Sequence, residues 1–349
     1  MTERTSSGLP KSHYQYQLVK QTQGYSLQLR EGAPLRAPGA NEVLLRVRAT
    51  SLNRRDIGIL RGFYPVGPRE TVVPLSDGAG DVVAVGPGVT RFKIGDRAVA
   101  AFFQRWISGR VTPEGSGSAL GGQVDGMLAE YVTLHEDGLL MIPDYMSHED
   151  AATLPCAAVT AWSGLVTRGR MQSGENVLLQ GTGGVSVFGL QLAIAAGARA
   201  FITSSSAEKL ERARKLGAAG TVNYKDTPEW AKPVRELTGG VGVHQILEVG
   251  GVGTLPQSLA AVASGGHIAL IGGLGGFGGD IPAVALIGRN ASATGITVGS
   301  RADFEALNAF MSQHRIKPVI DRTFAFGEAA AAYAHMEGSS HFGKIVIRH

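Results

Sequence analysis

One hexapeptide constrains this chain more than any other: Gly181-Thr182-Gly183-Gly184-Val185-Ser186. It comes after a short apolar stretch, Asn176 to Gln180, that reads as a strand, and precedes Val187 to Ala196, which reads as a helix. A strand that turns through glycines into a helix presents free helix N–H groups and a positive dipole end to a phosphate. Gly181 serves the tight turn, and Gly183 lets the backbone approach a pyrophosphate. The third small position of such a fingerprint is usually glycine and is here Ser186. The segment is read as a dinucleotide loop, with Gly181, Thr182, Gly183, Gly184 and Val185 as contacts. Downstream, strand-like and helix-like stretches alternate: Ala200 to Thr203, Glu208 to Leu216 closed by Gly217, Thr221 to Asn223, His244 to Glu248 and His267 to Ile271. That alternation predicts a doubly wound parallel α/β sheet with right-handed crossovers.

The end of the second strand selects the dinucleotide. A site for NAD places an acid about 20 residues beyond the glycines, on the ribose hydroxyls. Here the chain reads Thr203-Ser204-Ser205-Ser206-Ala207-Glu208-Lys209, with no acid at the strand end. A 2′-phosphate brings negative charge, which Lys209 can pair and Ser204 and Ser205 can donate to. Tyr224, just past the next strand, can donate as well. The reading is NADP(H), although serines at this place also serve as helix caps. Later glycines, Gly250 with Gly251 and Gly272 with Gly273, come after two further strands. Ligands in such sheets lie beyond the carboxyl ends of the strands, so Gly250, Gly272 and Gly273 are further cofactor candidates.

Composition narrows the rest. The chain has 49 glycines in 349 residues and one cysteine, Cys156. One thiol forms no intrachain disulfide and no structural zinc site of the usual kind. The 33 basic and 29 acidic residues are interspersed, giving a formal charge of +4, so no basic run points to nucleic acid. No stretch of 18 apolar residues occurs, so no transmembrane helix is expected. Met1 to Ser12 is polar and lacks the apolar middle of a signal peptide, which reads as a frayed leader on a cytoplasmic protein. The first 140 residues read as strands and turns, with candidate strands at Asn41 to Ala49, Asp81 to Val85 and Arg97 to Phe103, and a Gly/Ser-rich loop from Ser108 to Gly122.

Taken in order, these features resemble the medium-chain dehydrogenase/reductase superfamily. The match is carried by Asn53-Arg54-Arg55-Asp56, Gly78-Ala79-Gly80, Gly95-Asp96-Arg97, Leu154 to Trp162, the glycine loop and the closing Phe342-Gly343-Lys344-Ile345-Val346-Ile347. Within it the chain is similar to zinc-independent, NADPH-using quinone oxidoreductases and their alcohol-dehydrogenase-like relatives. The resemblance implies an α/β fold: a Rossmann doubly wound parallel sheet plus a β-rich GroES-like catalytic domain. It places the catalytic domain at 1–141, the Rossmann domain at 142–298 and a return to the catalytic domain at 299–349, with boundaries to ±15 residues. It also implies a homodimer formed by pairing the segment Ala291 to Val298 across a two-fold axis.

The resemblance further assigns a site. Asn53 falls where zinc-using members carry their first cysteine, and Ser76-Asp77 where they carry His-Glu, so only Cys156 matches a ligand position. Asn and Ser are poor zinc donors and three good donors are needed, so no metal is expected. Asn53 and Tyr64 match catalytic positions of the quinone oxidoreductases, Thr160 a place beside the nicotinamide ribose, and Phe342 and Lys344 a terminal loop near the cofactor. Asp56 is read as the structural partner of an arginine. Without a metal, reduction of an already activated acceptor needs only hydrogen-bond donors and a proton source. The expected function is hydride transfer from NADPH to a quinone or α,β-unsaturated carbonyl. Ketone or aldehyde reduction is the second reading, and a nucleotide-binding structural or RNA-associated protein of the zeta-crystallin kind is the third.

Overall fold

The fold was obtained as a computed structural model that describes residues 9–64, 69–273, 276 and 281–349. Residues 1–8, part of the segment Met1 to Ser12 expected to be a leader, and residues 65–68, 274–275 and 277–280 lie outside the described residues. The chain divides into two compact units, Met1–Cys156 with Ser300–His349, and Ala157–Gly299.

The discontinuous unit is built on a mixed sheet in which the strands Ile320–Ala325, Lys344–Arg348, Glu42–Leu52, Asp77–Val85, Arg97–Ala100 and Leu139–Met141 lie side by side in that order. Tyr131–His135 adds to the strand Glu42–Leu52, and a smaller sheet joins Tyr25–Pro34, Ser12–Lys20 and Thr71–Val72. Inward residues of the central strands, among them Val43, Leu45, Val47, Val82, Ala98 and Ala100, form one core with Met127 and Leu139. Two registers bring distant polar residues to the same end of this sheet. Ile345 pairs with Leu52, and Ser51 pairs with Asp77. The expected strand from Arg97 stops at Ala100, because Phe102, Phe103 and Trp106 leave the ladder to stack edge-on with centroids 4.7 and 5.6 Å apart. Residues 142–156 lie in this unit, where Ser51 Oγ donates to the Ala152 carbonyl at 2.9 Å.

The continuous unit is a six-stranded sheet whose ladders are all parallel. Its strands lie in the order Gly220–Asn223, Arg199–Ser204, Asn176–Gln180, Val243–Glu248, Val262–Leu270, Ser292–Gly295. Numbered along the chain this is 3-2-1-4-5-6, the doubly wound order whose strand reversal creates a ligand crevice beyond the carboxyl ends of the first and fourth strands. Asn176–Gln180 is buried throughout, as a central parallel strand must be. The helix Ala207–Lys215 carries Leu210 and Ala213 inward, and Gly217 takes φ +102° just past its end. Among the described residues no helix is long and apolar enough to cross a membrane.

Candidate active site and cofactor loop

In the parallel unit the first strand ends at Gln180, and the chain turns through Gly181 at φ +69°, where a side chain would be strained. A Cβ built at Gly181 or Gly183 meets no atom within 4 Å, so the turn has open space beside it. Gly183 caps the 12-residue helix Gly184–Ala195 with no side-chain hydrogen bond, which leaves the first-turn N–H groups, Gly184 and Val185 included, available to an anion. Thr182 is buried. Ser186 is 2% exposed, and its hydroxyl donates 2.6 Å back to the Gln180 carbonyl. The residue that departs from the glycine pattern therefore ties the helix to the strand, and its small size keeps the close packing.

The second strand ends at Ser204, whose carbonyl accepts from Tyr224 N–H at 3.1 Å. Ser204, Ser205, Lys209 and Tyr224 thus gather at one end of the sheet. Ser206 Oγ accepts from Lys209 N–H at 3.3 Å, so it is Ser206 that caps the helix, while Ser204 Oγ accepts from Ser206 N–H at 3.4 Å. Tyr224 is 40% exposed. At the fourth strand the loop Val249–Gly251 reaches the loop after the fifth, where Gly272 and Gly273 lie: a Cβ on Gly251 would stand 2.8 Å from Gly273 Cα. Thr160 is buried in the same unit. These residues fit a dinucleotide.

Sequence reading missed Glu248. Its carboxylate is 1% exposed and accepts from Gly250 N–H at 2.8 Å, Gly251 N–H at 3.0 Å, Thr254 Oγ1, Gln180 Nε2 at 2.7 Å and Ser258 Oγ. One side chain therefore fixes the glycine turn of the fourth strand to the end of the first. From sequence alone it was only an acid closing a strand.

The other unit holds a second cluster. Asn53 and Lys344 meet because the closing strand pairs Ile345 with Leu52. Lys344 Nζ donates to Asn53 Oδ1 at 2.6 Å and to the Leu52 carbonyl at 2.7 Å, and lies 3.4 Å from Asp77 Oδ2. Asp77 is fully buried and also accepts from Ser76 Oγ at 2.7 Å. The Lys344 side chain is 2% exposed and its three N–H directions are all taken within the unit, so the expected cofactor contact is replaced by a contact to Asn53. Phe342, also expected near cofactor, is 1% exposed, with its N–H on Asp321 Oδ1 at 3.0 Å. Gly343 between them needs φ +87°, and a Cβ there would stand 2.3 Å from the Val319 carbonyl oxygen. Asn53 Nδ2 is buried and has no hydrogen-bond partner among the described residues.

Asp56 does not pair an arginine: among the described residues it makes no ion pair, and Oδ2 instead accepts Asn53 N–H at 2.7 Å. The helix Arg54–Leu60 begins here, and the carboxylate caps it. Arg55 lies between two rings, its guanidinium carbon 4.7 Å from the Phe102 centroid and 5.4 Å from that of Tyr64, and it donates to the Leu120 carbonyl. Burial pushes the Asp56 carboxyl up to about 6, with nearby Asp77 adding to the shift, and Arg55, Lys344 and the Asn53 N–H opposing it. Burial first, and the Asp56 charge after it, raise the buried Tyr333 hydroxyl well above its ordinary value. A folded Asp56 value above the unfolded 3.8 means that folding takes up a proton, so this group's contribution to stability is greatest below about pH 4 and is lost as pH rises to 6. Asp56→Asn abolishes that dependence. The stability difference between variant and parent, measured by urea unfolding, should shift by about 2 kcal/mol in the variant's favour between pH 4.5 and 7. An unchanged difference refutes the shift.

The donor set does not fit zinc. Asn53 turns its oxygen to an ammonium, and Ser76 donates rather than accepts. Cys156 is the single cysteine of the chain, so one thiolate is the most sulfur this site offers, where zinc needs three good donors. Among the described residues no three His, Cys, Asp or Glu side chains converge as metal ligands.

Comparison with known proteins joins these two clusters to one lineage. The alcohol dehydrogenase GroES-like domain family matches residues 39–144, and the zinc-binding dehydrogenase family matches 184–313. A zinc-type alcohol dehydrogenase-like protein of Schizosaccharomyces pombe is 46% identical over 313 residues, covering 88% of this chain and 90% of that protein. A solved Sinorhizobium meliloti 1021 chain assigned as an alcohol dehydrogenase is 39% identical with a TM-score of 0.91, covering 97% of this chain and 99% of its own. An acryloyl-coenzyme A reductase of Metallosphaera sedula is 29% identical over 326 residues, covering 89% of this chain and 93% of that protein. With both domain families matched in order and such identity along nearly its whole length, the chain belongs to the medium-chain dehydrogenase/reductase superfamily of nicotinamide-dependent oxidoreductases.

Proposed function

We propose that this protein reduces a quinone or an α,β-unsaturated carbonyl compound with NADPH and without zinc. The observation that carries the reading is Asn53 Nδ2, a buried amide donor with no partner among the described residues, in a cluster whose donors do not fit a metal. NADPH supplies the hydride. Asn53 holds the substrate oxygen that gains negative charge as hydride reaches the electrophilic carbon. Such a preorganised donor serves an acceptor whose own conjugation activates it, and the enolate or hydroquinone oxygen left after hydride addition takes its proton from solvent. The acryloyl-coenzyme A reductase among the relatives acts on an acceptor of this kind and supports the assignment. The relatives named for alcohol dehydrogenase support ketone or aldehyde reduction as the second reading. NADPH oxidation measured with quinones, enones and aldehydes separates the two. No turnover on any class, together with tight RNA binding, overturns the enzyme.

NADPH rather than NADH rests on Ser204, Ser205, Lys209 and Tyr224 at one sheet end, with no acid among them. Lys209→Ala should raise KM for NADPH about tenfold, for one charge-assisted contact, and leave KM for NADH nearly unchanged. A constant ratio of the two defeats the assignment. The proposed homodimer pairs the edge strand Ser292–Gly295 with its copy. Beside it Val284 and Ile287 are 75% and 76% exposed on the helix Ala283–Ile287, as an interface of two copies requires. Sedimentation should give a dimer for the parent and a monomer for Val284→Asp with Ile287→Asp. A monomeric parent at micromolar concentration removes it.

A further inference from the structure

We infer that Lys344 is a positioning residue for Asn53: its ammonium holds the amide with Nδ2 turned to the substrate and strengthens that N–H as a donor. The inference rests on the reading of Asn53 as the group that binds substrate oxygen. An amide looks nearly the same with its O and N exchanged, so something must decide which end faces the ligand. An ammonium decides it, because it donates only. The atom 2.6 Å from Lys344 Nζ must therefore be Oδ1, and Nδ2 must be the outward end. That outward end is the buried, unpartnered one. A cation on the amide oxygen draws electron density from nitrogen and polarises its N–H bonds.

The rest of the network suits this use and no direct one. The Leu52 carbonyl at 2.7 Å and Asp77 at 3.4 Å take the remaining ammonium N–H groups, so Lys344 has none for a ligand. The ion pair with Asp77 is almost wholly buried, the two side chains being 2% and 0% exposed. Well-packed apolar residues commonly stabilise such a place as much or more, so the pair makes sense as a device that keeps a charge behind Asn53. Positive charge is thereby supplied to the substrate oxygen at one remove, through an amide.

The test uses the full-length protein. Lys344→Met alone strands the Asp77 charge and can fail to fold, so it is paired with Asp77→Asn, which removes both charges. This double variant should lower kcat about 10–100-fold, the range seen when the partner orienting a site group is removed, and leave the Kd for NADPH within about twofold. Adding Asn53→Ala should then lower kcat no further than Asn53→Ala does alone, within about threefold. Multiplying losses, or a Kd for NADPH weakened tenfold with kcat intact, overturns the inference and makes Lys344 an independent or a cofactor residue. If Asn53→Ala leaves kcat unchanged, the reading of Asn53 fails by itself. The inference is then decided by the side-chain amide NMR signals of Asn53, which must move and exchange faster in the double variant. Unmoved signals overturn it.

Discussion

Asn53→Ala lowers kcat by about 10²–10³-fold, or about 3–4 kcal/mol of transition-state stabilisation, and leaves KM for NADPH unchanged. The size reflects what the amide does. Its N–H is buried, so water does not replace it cheaply. Arg55 Nε and Nη2 and the Tyr333 hydroxyl are the cluster's other buried donors without a partner among the described residues, and they belong to side chains that pack with Phe102 and Asp56 rather than with Asn53. Lys344 is saturated by three oxygens. Asp56 only accepts at its capping oxygen. The Cys156 thiol, pushed up to about 12, stays protonated at neutral pH and is a weak donor. Asn53→Asp should fail as badly as alanine, since a carboxylate beside the Lys344 ammonium pairs with it and offers the substrate no hydrogen. Initial rates of NADPH oxidation with a quinone or enone decide it. An alanine variant that keeps a third of parental kcat would place oxygen activation elsewhere.

Glu248→Ala destabilises the parallel unit by about 3–5 kcal/mol, because it strips the acceptor from several buried donors at once. Gly250 N–H and Gly251 N–H lose their shared oxygen, and Gln180, Ser258 and Thr254 lose theirs. Each such loss costs about 1–3 kcal/mol if nothing replaces it, and relaxation of the glycine turn recovers part. Chemical unfolding followed through Trp230, which is buried in the core of this unit, reads the change. Dinucleotide affinity should fall with it, since the turn that Glu248 fixes lies at the carboxyl end of the fourth strand. A variant within 1 kcal/mol of the parent would mean that water satisfies the turn.

What could be read from the residues, and what could not, divides by distance along the chain. The Rossmann unit was legible because strand, glycine turn and helix are consecutive, and each carries its own local signature. Ser186 looked like a weakened fingerprint, and only its bond to the Gln180 carbonyl shows why serine serves there. Ser206 rather than its neighbours caps the next helix, a choice that depends on backbone direction and not on residue type. The cluster around Asn53 was legible by residue but not by partner. Asn53 was singled out, yet its contact with Lys344 spans 291 positions, and no periodicity reports a pairing that distant. Asp56 was read as the partner of an arginine, but among the described residues it makes no ion pair, and the carboxylate folds back to its own helix start instead.

The pairing of Ile345 with Leu52 has a consequence for how the protein is made. The Asn53 amide is not fixed until strand Lys344–Arg348 has docked, and loop closure over nearly 300 residues is slow and entropically costly. The parallel unit, continuous from Ala157 to Gly299, closes its own sheet without waiting for that event. A newly made chain therefore passes through a stage in which the nucleotide fold is complete and the chemistry is not. During that stage the part of the Glu42–Leu52 edge that this strand covers, 49–52, lacks its partner while 42–46 is already paired with Tyr131–His135, and an unpaired edge is a template for aggregation.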